Sequence, residues 1–449
     1  MHEVNESSLL IPEKQTSKEQ FLESLKLLKE SPRELFFLYI LNFIFSFQYY
    51  IEVTLAPLYF TDIQGLSDFQ AGLVFCAIGV GIGICALCFG PFLHSIGLKT
   101  CLFISSSTSI CGFLLLFFIE SFWVSLVAVL GLLSVSGALS WPVVELGSKM
   151  YTDQSIRNVS HSMIWISNYG AGAVAGLFID FFWADDSQEK TTFGALFLAC
   201  AVLGTVALLL GLLFRLSQVK EENFPDAQAM VFITRSVMSE KRFWRFCTLI
   251  LILTFLRSGC FGHLDATFPK YMVRELGDDA HFGLMLTLHS VTMLLGVFFF
   301  TQLTFAYSSY SLICAGGLIG TVAPIFLVFS SNYLLIVMFV MLISVGESIW
   351  VPRLLDYTLE VAPLAEEGIY LAISNCPFYF GMVITGVISG ELLKEYCPEE
   401  GEKECQNVWV VVVLTTVFIP FVLVAFRKLL EQPPLEENPY MPCSKENIS

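Results

Sequence analysis

The sequence predicts an all-α membrane protein: twelve transmembrane helices arranged as two six-helix pseudo-repeats, with both termini cytoplasmic. Three observations carry this expectation. Of 449 residues, 55% are hydrophobic and 14% charged, against about 25% charged in an average soluble domain. Stretches nearly free of charge recur along the whole chain, each about 20 residues long, enough to cross a hydrocarbon core. Landmark residues also repeat in register between the first and second halves. A transmembrane barrel would instead show shorter segments of alternating polarity.

The elements follow in order. Residues 1–33 form a polar N-terminal tail of mixed charge, so no cleavable signal peptide is expected. Within it, "FLESLKLLKE" (21–30) fits either a short amphipathic surface helix or a solvated lead-in. The N-terminal half, 34–216, holds spans at 34–60, 69–92, 99–119, 122–146, 160–183 and 193–216. A polar central loop, 217–245, divides the chain. The C-terminal half, 246–427, holds spans at 246–271, 281–302, 310–330, 333–354, 367–393 and 407–427. A second polar tail, 428–449, follows. Lys and Arg set the direction: with the N-terminus cytoplasmic, 18 of the 24 fall on the cytoplasmic side. Five lie outside (Lys190, Lys270, Arg274, Lys394, Lys403), and Arg257 alone is left in the membrane.

This direction has a measurable consequence. The three glycosylation sequons, at Asn5, Asn158 and Asn447, all face the cytoplasm and are expected to carry no glycan. A deglycosidase-sensitive mobility shift mapped to any of them would reverse the orientation.

The repeat is the strongest organisational signal. Span four ends "GALSWPVVELG" (137–147) and span ten "GESIWVPRLLDY" (346–357): Gly, Trp four residues later, Pro, then an acid. Span five carries "ISNYG" (166–170) and span eleven "ISNCP" (373–377). "PLYF" (57–60) in span one matches "PKYM" (269–272) in span seven. A parallel duplication of six-helix units places a solute site between the halves, near the midplane.

Two groups of six helices, a long central loop and this repeat resemble the major facilitator superfamily over nearly the whole chain. Within it, "FQYYIEVTLAPLYF" (47–60) is similar to the first helix of the proton-coupled oligopeptide transporters. That group's Glu-x-x-Glu-Arg signature is missing; its positions fall near Asn42, Phe45 and Ser46. Of the superfamily's loop signature between helices two and three, "GPFLHSIGLK" (90–99) keeps Gly90, Gly97 and Lys99, while His94, Ser95 and Leu98 replace charged residues. The resemblance implies that helices 1, 4, 7 and 10 line a central cavity and that helices 3, 6, 9 and 12 face lipid.

The distribution of charge agrees. A charged side chain at the bilayer centre costs about 2.5–3.5 kcal/mol on insertion scales, so such residues usually face the bundle interior. Spans 1, 4, 7 and 10 hold nearly all of them: Glu52, Glu145, Arg257, His263, Asp265, Glu347 and, at the cytoplasmic end, Arg353. Arg257 sits near the midplane. It offers a planar, permanently protonated fork to a carboxylate on the solute, or to an internal partner such as Glu52 or Glu347. Glu52 is the first candidate for a proton-coupling carboxylate, with Asp265 and Glu347 next and His263 as a relay. Asp265 can instead simply cap its helix end, and His263 can simply be hydrogen-bonded. Tyr49, Tyr50, Trp141, Tyr169 and Trp350 are candidate cavity aromatics. The paired amides Asn168 and Asn375 either bond across helices or contact solute. The glycines of "GVGIGI" (79–84) and "GAGAVAG" (170–176) permit close helix approach.

These readings converge on a secondary active transporter of a small organic solute, anionic or zwitterionic, working by alternating access and proton-coupled, as a symporter would be. A facilitative uniporter and a non-transporting receptor or scaffold on the same fold are the alternatives. No nucleophile–base pair, Walker-type motif or metal-ligand spacing is present, so neither an enzyme nor a cofactor nor a metal is expected. The expected partners are the bilayer, the solute and a proton. Polybasic tracts are absent, so nucleic acid is not expected, and a monomer suffices. The expected location is the plasma membrane or, if "ESLKLL" (23–28) is an acidic dileucine signal, an endolysosomal membrane.

One covalent link is expected. Cys397 and Cys405 are the only cysteines of the 13 that the charge rule places in an extracytoplasmic loop, a compartment that commonly permits disulfides. Pro398 and Gly401 between them let the loop fold back to the roughly 5.5 Å Cα separation a disulfide needs.

Overall fold

The computed structural model describes residues 26, 28–89, 96–152, 156–183, 189–214, 235–277, 280–304, 307–363 and 367–433. Most of the amphipathic segment, of the dileucine pattern, of the central loop and of the loop signature between helices two and three lies outside these residues. Among the described residues there are twelve helices long and apolar enough to cross a membrane. We name them α1 (Arg33–Ile63), α2 (Asp68–Ala86), α3 (Leu98–Phe118), α4 (Phe122–Tyr151), α5 (Val159–Trp183), α6 (Thr191–Leu213), α7 (Lys241–Ala266), α8 (Phe282–Phe300), α9 (Ser309–Phe329), α10 (Tyr333–Val361), α11 (Ile369–Tyr396) and α12 (Gln406–Ala425). With an even number of crossings, both ends of the chain emerge on one face, called here the terminal face; the other is the far face.

The sequence explains where these helices deviate from regularity. Pro57, Pro142 and Pro352 lie inside α1, α4 and α10, where each removes a backbone donor. Wide π-helical turns occur at Tyr59–Ile63, Val127–Leu133 and Arg257–Phe261, a feature frequent at functional sites. The third follows from "RSGCFG": the Gly262 amide donates to the Arg257 carbonyl at 2.7 Å. A side chain at Gly259 would run into Thr416 and one at Gly262 into Thr385, so these glycines let α7 lie against α12 and α11.

Polar side chains fasten each half internally, as expected where water offers no alternative partner. In the first half, Asn42 of α1 donates to the Ile164 carbonyl of α5 at 2.9 Å and Gln48 to the Cys200 carbonyl of α6 at 2.8 Å. In the second half, Thr385 of α11 donates to the Ser258 carbonyl of α7 at 2.9 Å.

The halves meet along two seams, α2 with α11 and α5 with α8, and small residues make both. A Cβ at Gly72 would strike the Gly386 carbonyl, and one at Gly79 would come within 2.7 Å of the Tyr379 carbonyl. On the other seam, Gly176 and Gly283 each leave no room for a side chain against the other. Gly79, Gly172 and Gly176, three of the glycines singled out in the sequence, thus face the opposite half.

Both seams carry ion pairs at the far face. Asp68, at the start of α2, accepts from Lys270 at 3.0 Å and from both terminal nitrogens of Arg274 at 2.9 and 2.7 Å. Lys270 and Arg274 belong to the short helix Phe268–Leu276 that follows α7. Lys270 is buried and Asp68 and Arg274 are largely so, their side chains at 2%, 10% and 8% exposure respectively, so this contact is mostly shielded from solvent. Asp180 of α5 meets His281, beside the start of α8, at 3.1 Å.

Cys397 and Cys405 are joined by a disulfide, with Cα atoms 4.4 Å apart. The loop it closes leans on the same cluster: the Cys397 carbonyl accepts from Arg274 at 2.6 Å, and Lys403 donates to the Arg274 carbonyl at 3.1 Å. A disulfide over so short a loop contributes about 2–3 kcal/mol, largely by restricting the unfolded chain.

Candidate functional site

Between the halves lies a cavity of about 210 Å³. The far-face seams bound it on one side. Its lining includes Asn42, Trp165 and Asn375, in the portions of α1, α5 and α11 nearer the terminal face. The walls come from α1, α4, α7 and α10, as the resemblance implies, and also from α2, α3, α5, α8 and α11. The contribution of Ser109 and Phe113 corrects the expectation that α3 faces lipid alone. Helices α6, α9 and α12 contribute no lining residue.

Ten candidate residues line this cavity: Tyr49, Tyr50, Glu52, Trp141, Asn168, Tyr169, Arg257, Asp265, Glu347 and Asn375. Two candidates do not. Trp350 is fully buried and stacks on Phe378, planes 9° apart and centroids 6.3 Å apart. It supports a wall residue from behind, which corrects its reading as a solute contact. His263 is also buried away from the cavity: its Nδ1 lies 2.6 Å from Thr267 Oγ1, which donates to Ser389 of α11 at 2.7 Å. That chain ties α7 to α11, so His263 is hydrogen-bonded within the fold, outside the cavity lining.

The charged groups sort into two sets. Arg257 lies 3.5 Å from Asp265 and 3.9 Å from Glu347. Asp265 is eight residues along, a rise of roughly 12 Å in a straight helix, so an extended guanidinium is needed to reach it. Both separations exceed those of tight charge-assisted hydrogen bonds, and Arg257 Nε is buried without a partner. The guanidinium is thus loosely held and retains a free donor. Its carbon also lies 5.8 Å from the centroid of Phe378. On the other side of Glu347, His289 Nε2 approaches to 3.8 Å while its Nδ1 sits 2.8 Å from Ser344 Oγ. These four groups, on α7, α8 and α10, form one network. Asn375 donates to the Leu371 carbonyl of its own helix at 3.1 Å rather than across helices.

Glu52 stands apart. It lies on α1, and among the described residues no cation pairs with it. Its Oε1 is buried with no hydrogen-bond partner. Glu145 and Arg353, costly in sequence terms, are satisfied locally: Glu145 accepts from Trp141 Nε1 at 2.9 Å, and Arg353 donates to Asp356 at 2.6 Å and to Thr304 at 3.1 Å.

The aromatic wall is wider than the sequence candidates. Trp165 packs between Trp141, edge-on with centroids 5.6 Å apart, and Tyr169, stacked at 5.7 Å. Trp165, Phe378 and Tyr379 carried a usable signal. Trp165 precedes Asn168 and Tyr169 by three and four residues, and Phe378 and Tyr379 follow Asn375 by the same intervals. Residues at those intervals share a helix face. His289 carried no such signal, being an isolated polar residue in an apolar span.

A cavity at the interface of two six-helix halves, lined chiefly by the pseudo-equivalent helices, is the arrangement the resemblance implies. The sequence profile of the Major Facilitator Superfamily matches residues 35–385 and 250–441. The chain belongs to the Major Facilitator Superfamily. That is a family of transporters rather than of enzymes, and this member is an integral, multi-pass membrane protein. Among curated protein sequences none matches it significantly. Solved structures do. A POT family transporter in complex with a thioalcohol-conjugated peptide superposes with a TM-score of 0.74 at 13% identity, covering 89% of this chain and 97% of that one. A POT family transporter with 5-aminolevulinic acid gives 0.74 at 14%, with the same coverage. The nucleoside transporter NupG gives 0.68 at 14%, covering 88% of this chain and 100% of that one. Identities this low establish a shared fold.

Proposed function

We propose that this superfamily member is a secondary active transporter that moves a small organic solute by alternating access, driven by a proton gradient in symport. The observation that carries the reading is the network of Arg257 with Asp265, Glu347 and His289, set in the cavity between the halves. Two carboxylates sharing one loosely held guanidinium cannot both remain charged at no cost in a low-dielectric site. One of them can therefore take up and release a proton as the cavity opens to each side in turn. Asp265 and Glu347 are the coupling pair, and His289 stands where it can stabilise either state. With the charge rule of the sequence, the terminal face is cytoplasmic, and this conformation is the inward-facing one.

Of the anionic and zwitterionic solutes expected from Arg257, the zwitterion fits better. A simple anion would meet three carboxylates among the lining residues, Glu52, Asp265 and Glu347, against one guanidinium. A zwitterion can use the free donor of Arg257 and still present a positive end. One structural relative is solved with 5-aminolevulinic acid, a molecule of this kind. Tyr49, Tyr50, Trp141, Tyr169, Asn168 and Asn375 shape the remainder of the site.

Uptake of labelled aminolevulinic acid and dipeptides into proteoliposomes, with and without an imposed pH gradient, tests this reading. Accumulation that follows the gradient and collapses with a protonophore is expected. Equilibration without accumulation would make the protein a facilitative carrier, and absence of uptake would leave the receptor or scaffold. Asp265→Asn is expected to abolish accumulation while exchange of internal for external solute persists.

A further inference from the structure

We infer that Glu52 is the ammonium-binding group of the cavity, so that the transported solute carries an amino group on an aromatic or apolar body. The inference rests on the transport reading above and goes further by naming the solute's positive end and where it sits.

The first argument is charge balance. The lining residues include three carboxylates and one guanidinium. Asp265 and Glu347 already share Arg257, and Glu347 has His289 beside it as well. Glu52 has none of this company. A carboxylate held in a low-dielectric cavity with no cation and no donor is strongly destabilised. A proton or an external cation relieves it, and a solute ammonium is a cation that the cavity can admit.

The second argument is the hydrogen-bond vacancy. Glu52 Oε1 is buried without a donor, whereas the two buried amides of α1, Asn42 and Gln48, are both tied to neighbouring helices. These amides have partners in the fold, while Glu52 lines the cavity without one. An ammonium carries three donors and no acceptor, which suits an oxygen with unfilled acceptor capacity.

The third argument is the surroundings. Phe45, Tyr49 and Glu52 recur at helical intervals along α1 and all line the cavity, with Phe113 of α3 also in the wall. Aromatic faces attract cations and pack against apolar rings, and they offer nothing to an anion. These rings, in the same cavity wall as Glu52, can accommodate the body of an aromatic amine.

Thermal unfolding of the purified full-length protein tests this with two probes of equal ring size, tyramine and 3-(4-hydroxyphenyl)propionate. Tyramine is expected to raise the midpoint in a dose-dependent way and the carboxylate to leave it unchanged. Glu52→Gln removes a buried charge and is expected to fold. It should weaken apparent tyramine affinity by about tenfold or more, the scale of a lost hydrogen bond to a charged group, and Glu52→Asp should recover part of it. The inference is overturned if tyramine gives no shift, if the carboxylate shifts the wild type as strongly as the amine, or if Glu52→Gln binds tyramine like the wild type. Proteoliposome uptake separates this from the wider reading. Tyramine binding that depends on Glu52, without gradient-driven uptake of any solute, would sink the transport reading and leave the Glu52 assignment in place. Gradient-driven tyramine uptake unchanged by Glu52→Gln would do the reverse.

Discussion

Asp68→Asn is expected to open the far face. In the structure Asp68 of α2 pairs with both Lys270 and Arg274 of the short helix after α7, across the interface of the halves, and all three side chains are largely buried. Removing one partner of a buried pair while leaving the other charged costs about 3–5 kcal/mol. Here two cations lose their counter-charge at once. The penalty falls on the sealed arrangement, because opening the far face lets both cations reach water. A shift of this size changes the ratio of the two states by a factor of about a hundred to a few thousand, since each 1.4 kcal/mol is about tenfold. Spin labels at Gln70 on α2 and Lys394 on α11, in a background without other accessible cysteines, report the separation of the halves. The wild type should show a short distance and Asp68→Asn a longer one. An unchanged distribution would mean that the glycine seams hold the far face closed without the ion pair. Because Arg274 also donates to the Cys397 carbonyl, reduction of the disulfide should move the distribution in the same direction by a smaller amount.

The second large effect is expected at Arg257. Arg257→Ala leaves Asp265 and Glu347 facing each other without the cation between them, so one of them must be protonated for the protein to stay folded. The expected result is a marked fall in unfolding midpoint, on the scale of about 3–5 kcal/mol for a broken buried pair, together with loss of gradient-driven uptake. The triple variant Arg257→Ala, Asp265→Asn, Glu347→Gln should regain most of the stability while remaining unable to accumulate solute. Non-additivity of this kind is the signature of groups acting as one network. If Arg257→Ala keeps wild-type stability and loses only affinity for carboxylate-bearing solutes, the guanidinium is a solute contact first and a network member second. If the triple variant is no more stable than the single one, the ion pairs at 3.5 and 3.9 Å contribute nothing measurable.

How far the sequence reached differs between kinds of statement. Span number and helical class were legible because they depend on composition averaged over about 20 residues, which no tertiary detail overrides. The position of the cavity was legible because few places in a membrane tolerate Glu52, Arg257, Asp265 and Glu347, and those residues fall on pseudo-equivalent helices. The fate of individual repeat residues was not legible. Trp141 and Trp350 occupy matching positions in nearly identical motifs, yet Trp141 lines the cavity and Trp350 is buried behind Phe378. A duplicated motif specifies a helix position, and the depth at which that position meets the other helices is set by how each half packs.

By itself the sequence determined that this chain crosses a membrane twelve times, repeats itself, and concentrates its costly charges on a few helices. Local periodicity and desolvation energies act residue by residue and leave their mark in the order of amino acids. Only the tertiary structure decided which charges meet. Arg257 is divided between Asp265 of its own helix and Glu347 of α10, 90 residues away. Asp68 closes the far face on Arg274 from 206 residues away, and Glu52 is left without a partner. Electrostatic pairing depends on separations of a few ångströms between atoms distant in the chain, and those separations exist only once both halves have folded and docked.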